Sequence, residues 1–279
     1  MTSESRNSQG PEDGMSFWGH LEVLRHVIMR CGAAVVVCMT GCFIAMPHIF
    51  DRFILGASSS DFFLYRWLSG IWGDRAGHSS DAGNGLSGLV PDFGGDFSVD
   101  IINVNVASQF TTHISTSFWL ALVIVFPYII YEVWRFILPA LYPSEKKNIG
   151  SAFIFGTGMF YAGCAVGYCI VFPLTFRFLA GYRLSGEITN MISLDSYIGN
   201  FLMMIFIMGL VFEIPLLSRL LSSIGVIDRP FLKKYRRHAV VLLMVLAAVI
   251  TPSGDPFTLM VVFLPLYLLY EIAILVARK

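Results

Sequence analysis

Residues 197–221 read YIGNFLMMIFIMGLVFEIPLLSRLL, an apolar run that carries only two charged side chains, Glu213 and Arg219. A helix crossing a bilayer core of ~30 Å needs about 20 such residues. This run is long enough. Outward from it the same reading recurs. Apolar runs cover Val27 to Ile49, His113 to Phe136, Ser151 to Phe172, where Pro173 is expected to stop the helix, and Phe257 to Ala277. A weaker run covers Ala239 to Ile250. The whole chain of 279 residues is 56% hydrophobic and 14% charged, against about 25% charged for a soluble domain. So little polar surface cannot cover a soluble globule, and the second apolar solvent is lipid.

The expected fold class is therefore an all-α polytopic membrane protein. Its expected plan is a disordered cytoplasmic tail over residues 1–14 and a six-span membrane domain over 15–279, with a long outer loop over 50–112. The tail is rich in Ser, Glu, Asn and Gly and lacks the positive start of a cleaved signal peptide. The 19 lysines and arginines set the orientation. With six spans and the N-terminus inside, only Arg52, Arg66, Arg75, Arg177 and Arg183 fall outside, and the rest lie on the inner side. Both ends are then cytoplasmic.

The run at Ala239–Ile250 is short, at ~18 Å of helix. Lys233-Lys234-Tyr235-Arg236-Arg237-His238 precedes it, and Thr251-Pro252-Ser253-Gly254-Asp255-Pro256 follows. A short hairpin of spans five and six is expected, with bilayer thinning or snorkelling basic side chains at its edge. In the outer loop, Phe50 to Trp72 reads as an amphipathic segment on the interface, and Gly73 to Gly95 as a Gly/Ser/Asp-rich connector. Pro127, Pro173, Pro215 and Pro265 loosen their helices locally, so the bundle is expected to be bent and concave.

Ionisable groups inside spans are costly unless paired or hydrated, so they mark functional positions. Glu132 precedes Arg135 by three residues and reads either as a local ion pair or as a site. Glu213 has no basic neighbour at helical spacing. It must face a hydrated cavity, a donor on another span, or be protonated, and Pro215 two residues on permits a kink beside it. Asp255 reads as a turn aspartate or a site, and Glu271 as an interface anchor. Cys31, Cys38, Cys42, Cys164 and Cys169 show neither Cys-x-x-Cys nor zinc spacing and read as small buried residues. No nucleotide-binding loop, His-Glu-x-x-His or Gly-x-Ser-x-Gly is present, and no internal repeat of the inverted-transporter kind is evident. No cofactor, metal or nucleic acid is expected.

Five segments in order resemble the TatC family, the multispanning component of the twin-arginine protein translocase. They are His20-Leu21-Glu22-Val23-Leu24-Arg25, Phe126-Pro127 through Pro139-Ala140-Leu141-Tyr142, Glu145-Lys146-Lys147, Phe212-Glu213-Ile214-Pro215, and Thr251 to Pro256. The resemblance runs from Phe17 to Val276. It implies a six-span, glove-shaped fold with short fifth and sixth helices in the bacterial inner membrane. It implies a non-enzymatic receptor for twin-arginine signal peptides. Driven by the proton-motive force, it would export folded proteins in an oligomeric complex with single-span TatA- and TatB-like partners.

By that resemblance Glu145 binds the arginine pair. The family's second glutamate position falls on Val23, and the nearest carboxylate is Glu22, about 100° round a helix. Glu22 serves if the segment is irregular and faces elsewhere if it is helical. His20 and Arg25 belong to the same motif. Glu213 maps to a polar contact for a partner's transmembrane helix, and Pro139, Tyr142, Pro215 and Asp255 are further motif positions. A secondary transporter with Glu213 and Asp255 as proton or ion sites is the alternative reading.

Overall fold

The computed structural model describes residues 17–58, 101–137, 149–182, 190–251 and 253–277. Tail 1–14, the loop from Gly73 to Gly95, and Pro139, Tyr142 and Glu145 lie outside the described residues. The described residues are helical almost throughout. Helix α1 spans Phe17–Ile49 and runs on into a π-helical turn, Phe50–Ile54, and a 3-10 turn, Leu55–Ser58. Then come α2 (Ser108–Ile137), α3 (Ile149–Val166), a π-helical turn (Gly167–Val171) and α4 (Phe172–Gly181). They are followed by α5 (Leu194–Val211), α6 (Ile214–Ser223), α7 (Arg229–Lys234), α8 (Arg236–Ile250) and α9 (Pro256–Val276).

Two short strands, β1 (Ile101–Ile102) and β2 (Ile192–Ser193), pair in parallel with Ile101 opposite Ile192. They tie the segment entering α2 to the segment entering α5.

Among the described residues, five stretches are long and apolar enough to cross a membrane: Leu21–Ile49, Ser108–Phe136, Phe153–Gly181, Leu194–Ser223 and Pro256–Val276. Their outward faces carry large apolar side chains such as Val37, Ile44, Leu264 and Leu275, as lipid contact requires. Helix α8 has 15 residues, or ~22 Å, short of the ~30 Å core. The last hairpin is thus asymmetric. The shortness expected of both its helices holds for α8, whereas α9 has 21 residues. Asp255 caps it, Pro256 stands in its first turn, and Pro265 lies within the helix without ending it.

Three further boundaries differ from the sequence expectation. Helix α1 begins ten residues ahead of Val27, because the polar motif 20–25 continues the same helix; His26 Nδ1 lies 2.8 Å from the Glu22 carbonyl, one turn back. Helix α2 starts at Ser108 rather than at His113. Pro173 does not stop the third span. It stands in the first turn of α4, where a missing N–H costs nothing, and the π-helical turn before it absorbs the mismatch, so the rod continues to Gly181. Of the interfacial segment expected from Phe50 to Trp72, the described part, Phe50 to Ser58, is the wound end of α1.

Prolines inside helices leave the carbonyl four residues back without its helical donor. Two of these orphaned carbonyls are taken by side chains from the next span. Pro47 frees Phe43 O, and His113 Nε2 of α2 lies 2.9 Å from it, with the imidazole stacked on the Phe43 ring at 3.9 Å. Pro127 frees Val123 O, and the Tyr161 hydroxyl of α3 donates to it at 3.3 Å.

Among the described residues the core has two clusters. The larger joins α4, α5, α8 and α9 through Phe172, Tyr197, Phe201, Met208, Val262 and Leu266 among others. The smaller joins α2, α3 and α6 around Phe126, Phe160 and Leu216. Between α3 and α5 the backbones come close. A Cβ on Gly163 would lie 2.6 Å from Met208 O, and one on Gly167 2.9 Å from Ile205 Cα. Small residues four apart permit such approach, and in lipid that packing is a main source of helix association.

Candidate functional site

Glu213 occupies a break between two helices. Helix α5 ends at Val211, and α6 starts at Ile214 with Pro215 in its first turn. Pro215 has no N–H to offer the Val211 carbonyl, so the helical ladder is interrupted there. Glu213 N turns back to Leu210 O in a tighter i−3 bond, and Glu213 O then accepts from Leu217 N. This turn aims the side chain inward. The residue is 8% exposed. Its Oε1 is buried without a hydrogen-bond partner, and its Oε2 faces Gly156 of α3, whose added Cβ would lie 3.4 Å away. The expected kink at Pro215 is present. A donor from another described span is not.

A second buried carboxylate lies on the seam between α1 and α2. Glu132 is 2% exposed. Tyr128, one turn back, donates to its Oε1 at 3.0 Å. Arg30 of α1 approaches Oε2 at 3.7 Å. The sequence reading paired Glu132 with Arg135 or held it as a site. Arg135 is exposed on α2, and the cation that reaches the carboxylate comes from the neighbouring helix. The available signal was Arg30 itself, a cation just inside the first apolar run. Glu271 is handled likewise: its partner is Arg236, at the start of α8.

The remaining site residues among those described are dispersed. Glu22, Val23 and Arg25 all lie exposed on α1, so the motif is helical and Glu22 is turned about 100° from position 23. Asp255 is the N-cap of α9. Its carboxylate accepts from Thr258 N at 3.2 Å and from the Thr258 hydroxyl at 2.6 Å, and Ser253 lies alongside. Those bonds satisfy the first turn of the helix. Glu213 and Asp255 belong to separate elements with separate surroundings, and among the described residues no His, Cys, Asp or Glu side chains converge as ion ligands.

Fold and site together define a polytopic helical membrane protein whose buried carboxylates stand at a helix break and a helix seam. The profile of the family described as Sec-independent protein translocase protein (TatC) matches residues 19–265. The chain belongs to this TatC family. It is a protein-translocase component, not an enzyme. A TatC from Blattabacterium sp. subsp. Periplaneta americana is 33% identical over 265 residues, covering 94% of this chain and 95% of that protein. One from Deinococcus radiodurans is 37% identical over 181 residues, or 64% of this chain and 66% of that one. A crystal structure of a twin-arginine translocase receptor, TatC, in DDM superposes with a TM-score of 0.70 at 26% identity, covering 93% of this chain and 100% of the other.

Proposed function

We infer that this chain is the receptor for twin-arginine signal peptides and the core of a translocase that exports folded proteins across the bacterial inner membrane, driven by the proton-motive force. The observation that carries this reading is the TatC profile match over residues 19–265. The chain has six spans, counting the short α8, and both termini in the cytoplasm, as the lysine and arginine distribution favours. The motif 20–25 and Glu145 then share the inner side. Glu145 accepts a guanidinium of the arginine pair, since a carboxylate matches the planar fork of arginine in bidentate geometry. Because the motif is helical, Glu22 faces about 100° away from position 23 and contributes long-range attraction for the pair rather than a direct contact; His20 and Arg25 belong to the same motif. Pro139 and Tyr142 are further motif positions just ahead of Glu145 in the sequence.

Glu213 is the polar contact for a single-span partner of TatA or TatB type. Its unpartnered Oε1 is a desolvated acceptor, and a hydroxyl or amide on an incoming helix would remove that cost. The working assembly is an oligomeric complex.

The test is copurification from membranes with a peptide carrying the arginine pair. The native chain is expected to retain it and to lose it when the pair is replaced by two lysines. Glu145→Lys is expected to abolish retention. Retention and export both intact in that variant would overturn the assignment.

A further inference from the structure

The Glu132 carboxylate is underused by its own surroundings. A carboxylate accepts about four hydrogen bonds. This one receives a single hydrogen bond, from Tyr128, while Oε2 is buried and has none. The Arg30 contact at 3.7 Å is an ion pair beyond the ~3.2 Å limit of an ordinary N–H···O bond. The two partners differ in access: the Arg30 side chain is 51% exposed and that of Glu132 3%. The carboxylate is thus fixed within the seam, and the cation over it is held at one end only.

The place of this pair on α1 matters. The helix is continuous from Phe17 to Ile49. Seven residues turn a helix by nearly two full turns, so Val23 and Arg30 lie within ~20° of one face, ~10 Å apart along the axis. Glu22 lies ~80° from Arg30. The α1 face that runs from the exposed amino-terminal motif toward α2 carries no carboxylate of its own at positions 23, 27 or 30. The acid on that line is Glu132, supplied by α2.

We propose that Glu132 is a guanidinium-binding group for one arginine of the signal peptide, and that Arg30 occupies it as a stand-in while the site is empty. The proposal rests on the receptor reading above. On binding, the incoming guanidinium takes Oε2, and Arg30, long and already half exposed, swings to the lipid headgroups. No net charge is buried in the exchange, because one cation replaces another against the same carboxylate. The incoming group gains a buried acceptor only if it displaces Arg30, so the resident pair sets the threshold for binding.

The experiment measures binding of a fluorescent peptide with two arginines to the full chain in nanodiscs, with a two-lysine peptide as control. Arg30→Gln is expected to tighten binding about fivefold, the scale of one partly exposed ion pair. Glu132→Gln is expected to weaken it by a similar or larger factor. The double variant is expected to match Glu132→Gln, since Arg30 has nothing left to block. It also buries no lone charge, so it serves where Arg30→Gln fails to fold.

If the pair only clamps α1 to α2, both single variants weaken binding in step with a loss of melting temperature, and the proposal is overturned. Unchanged binding in the double variant at unchanged melting temperature overturns it too. A native chain that does not distinguish two arginines from two lysines refutes the receptor reading itself, a different failure from native discrimination that ignores Glu132.

Discussion

Replacing Gly163 by alanine adds one methyl group where the α3–α5 seam has no room. The new Cβ would lie 2.6 Å from Met208 O and 2.8 Å from Phe212 Cβ. An ordinary contact of that kind is ~3.5–4.0 Å, so the helices must part by the better part of an ångström. The obstructing atom is a backbone carbonyl in the last turn of α5, held by Phe212 N at 3.1 Å, which cannot simply rotate aside. Overpacking of this size costs about 1–3 kcal/mol. Alanine itself favours the helix over glycine by about 0.5–1 kcal/mol, which masks part of the loss.

Gly158 supplies the control. It is on the same helix, exposed, with nothing within 4 Å of its added Cβ, so Gly158→Ala keeps the helix gain and meets no clash. The two variants should differ by about 1–3 kcal/mol, with Gly163→Ala the less stable. At roughly 2–4 °C per kcal/mol for a large domain, the gap in melting temperature is about 5 °C. Thermal unfolding in detergent, followed by tryptophan fluorescence, reads it directly. Indistinguishable melting curves would refute the close-packed seam.

Three further outcomes follow from the same contacts. Asp255→Ala removes the cap of α9 and should cost about 1 kcal/mol in thermal unfolding, while Asp255→Asn, which still accepts from Thr258 N, should recover most of it; an asparagine variant that is stable but dead in export would instead mark an ionised role. Tyr161→Phe strips the donor from the Val123 carbonyl and should cost about 0.6 kcal/mol, the usual scale of an interhelical bond in lipid, whereas a neutral result would mean that the carbonyl finds another partner. Glu213→Ala should weaken copurification of a single-span partner more than cross-linking of the signal peptide; equal losses of both would point to misfolding at the α5–α6 break.

Existence of the spans was legible because lipid imposes one composition on all of them, and an apolar run of about 20 residues is what a bilayer core demands of a helix. Their ends were not legible, because ends depend on where orphaned backbone groups find partners. Pro173 looks like a stop when only its missing N–H is counted. In the structure it is the first turn of α4, and the π-helical turn ahead of it keeps the rod continuous. The start of α1 lies ahead of its apolar run for the opposite reason. Polar residues 20–25 end the lipid-compatible run without ending the helix, since nothing in them breaks the backbone ladder.

The carboxylates show where one-dimensional reading gives out. Glu213 could be singled out because its anomaly is intrinsic: an acid in an apolar run, two residues from a proline, with no cation in helical reach. Its buried, unpartnered oxygen is the three-dimensional form of the same statement. Glu132 could not be resolved, because its anomaly is relational. Arg135 is three residues away in the chain, and Arg30 is 102 residues away, yet the distant one forms the pair. Sequence spacing ranks partners along one helix and is blind to the helix lying alongside.

The same blindness hid Arg236 from Glu271 and His113 from the carbonyl freed by Pro47. In a membrane this matters more than in water. A polar group that misses its intrahelical partner has no solvent to turn to, so the neighbouring span must answer. Each unexplained polar group in an apolar run is therefore a statement about which helix packs next to it. Arg30 and Glu132, paired across the seam at 3.7 Å, are such a statement for α1 and α2.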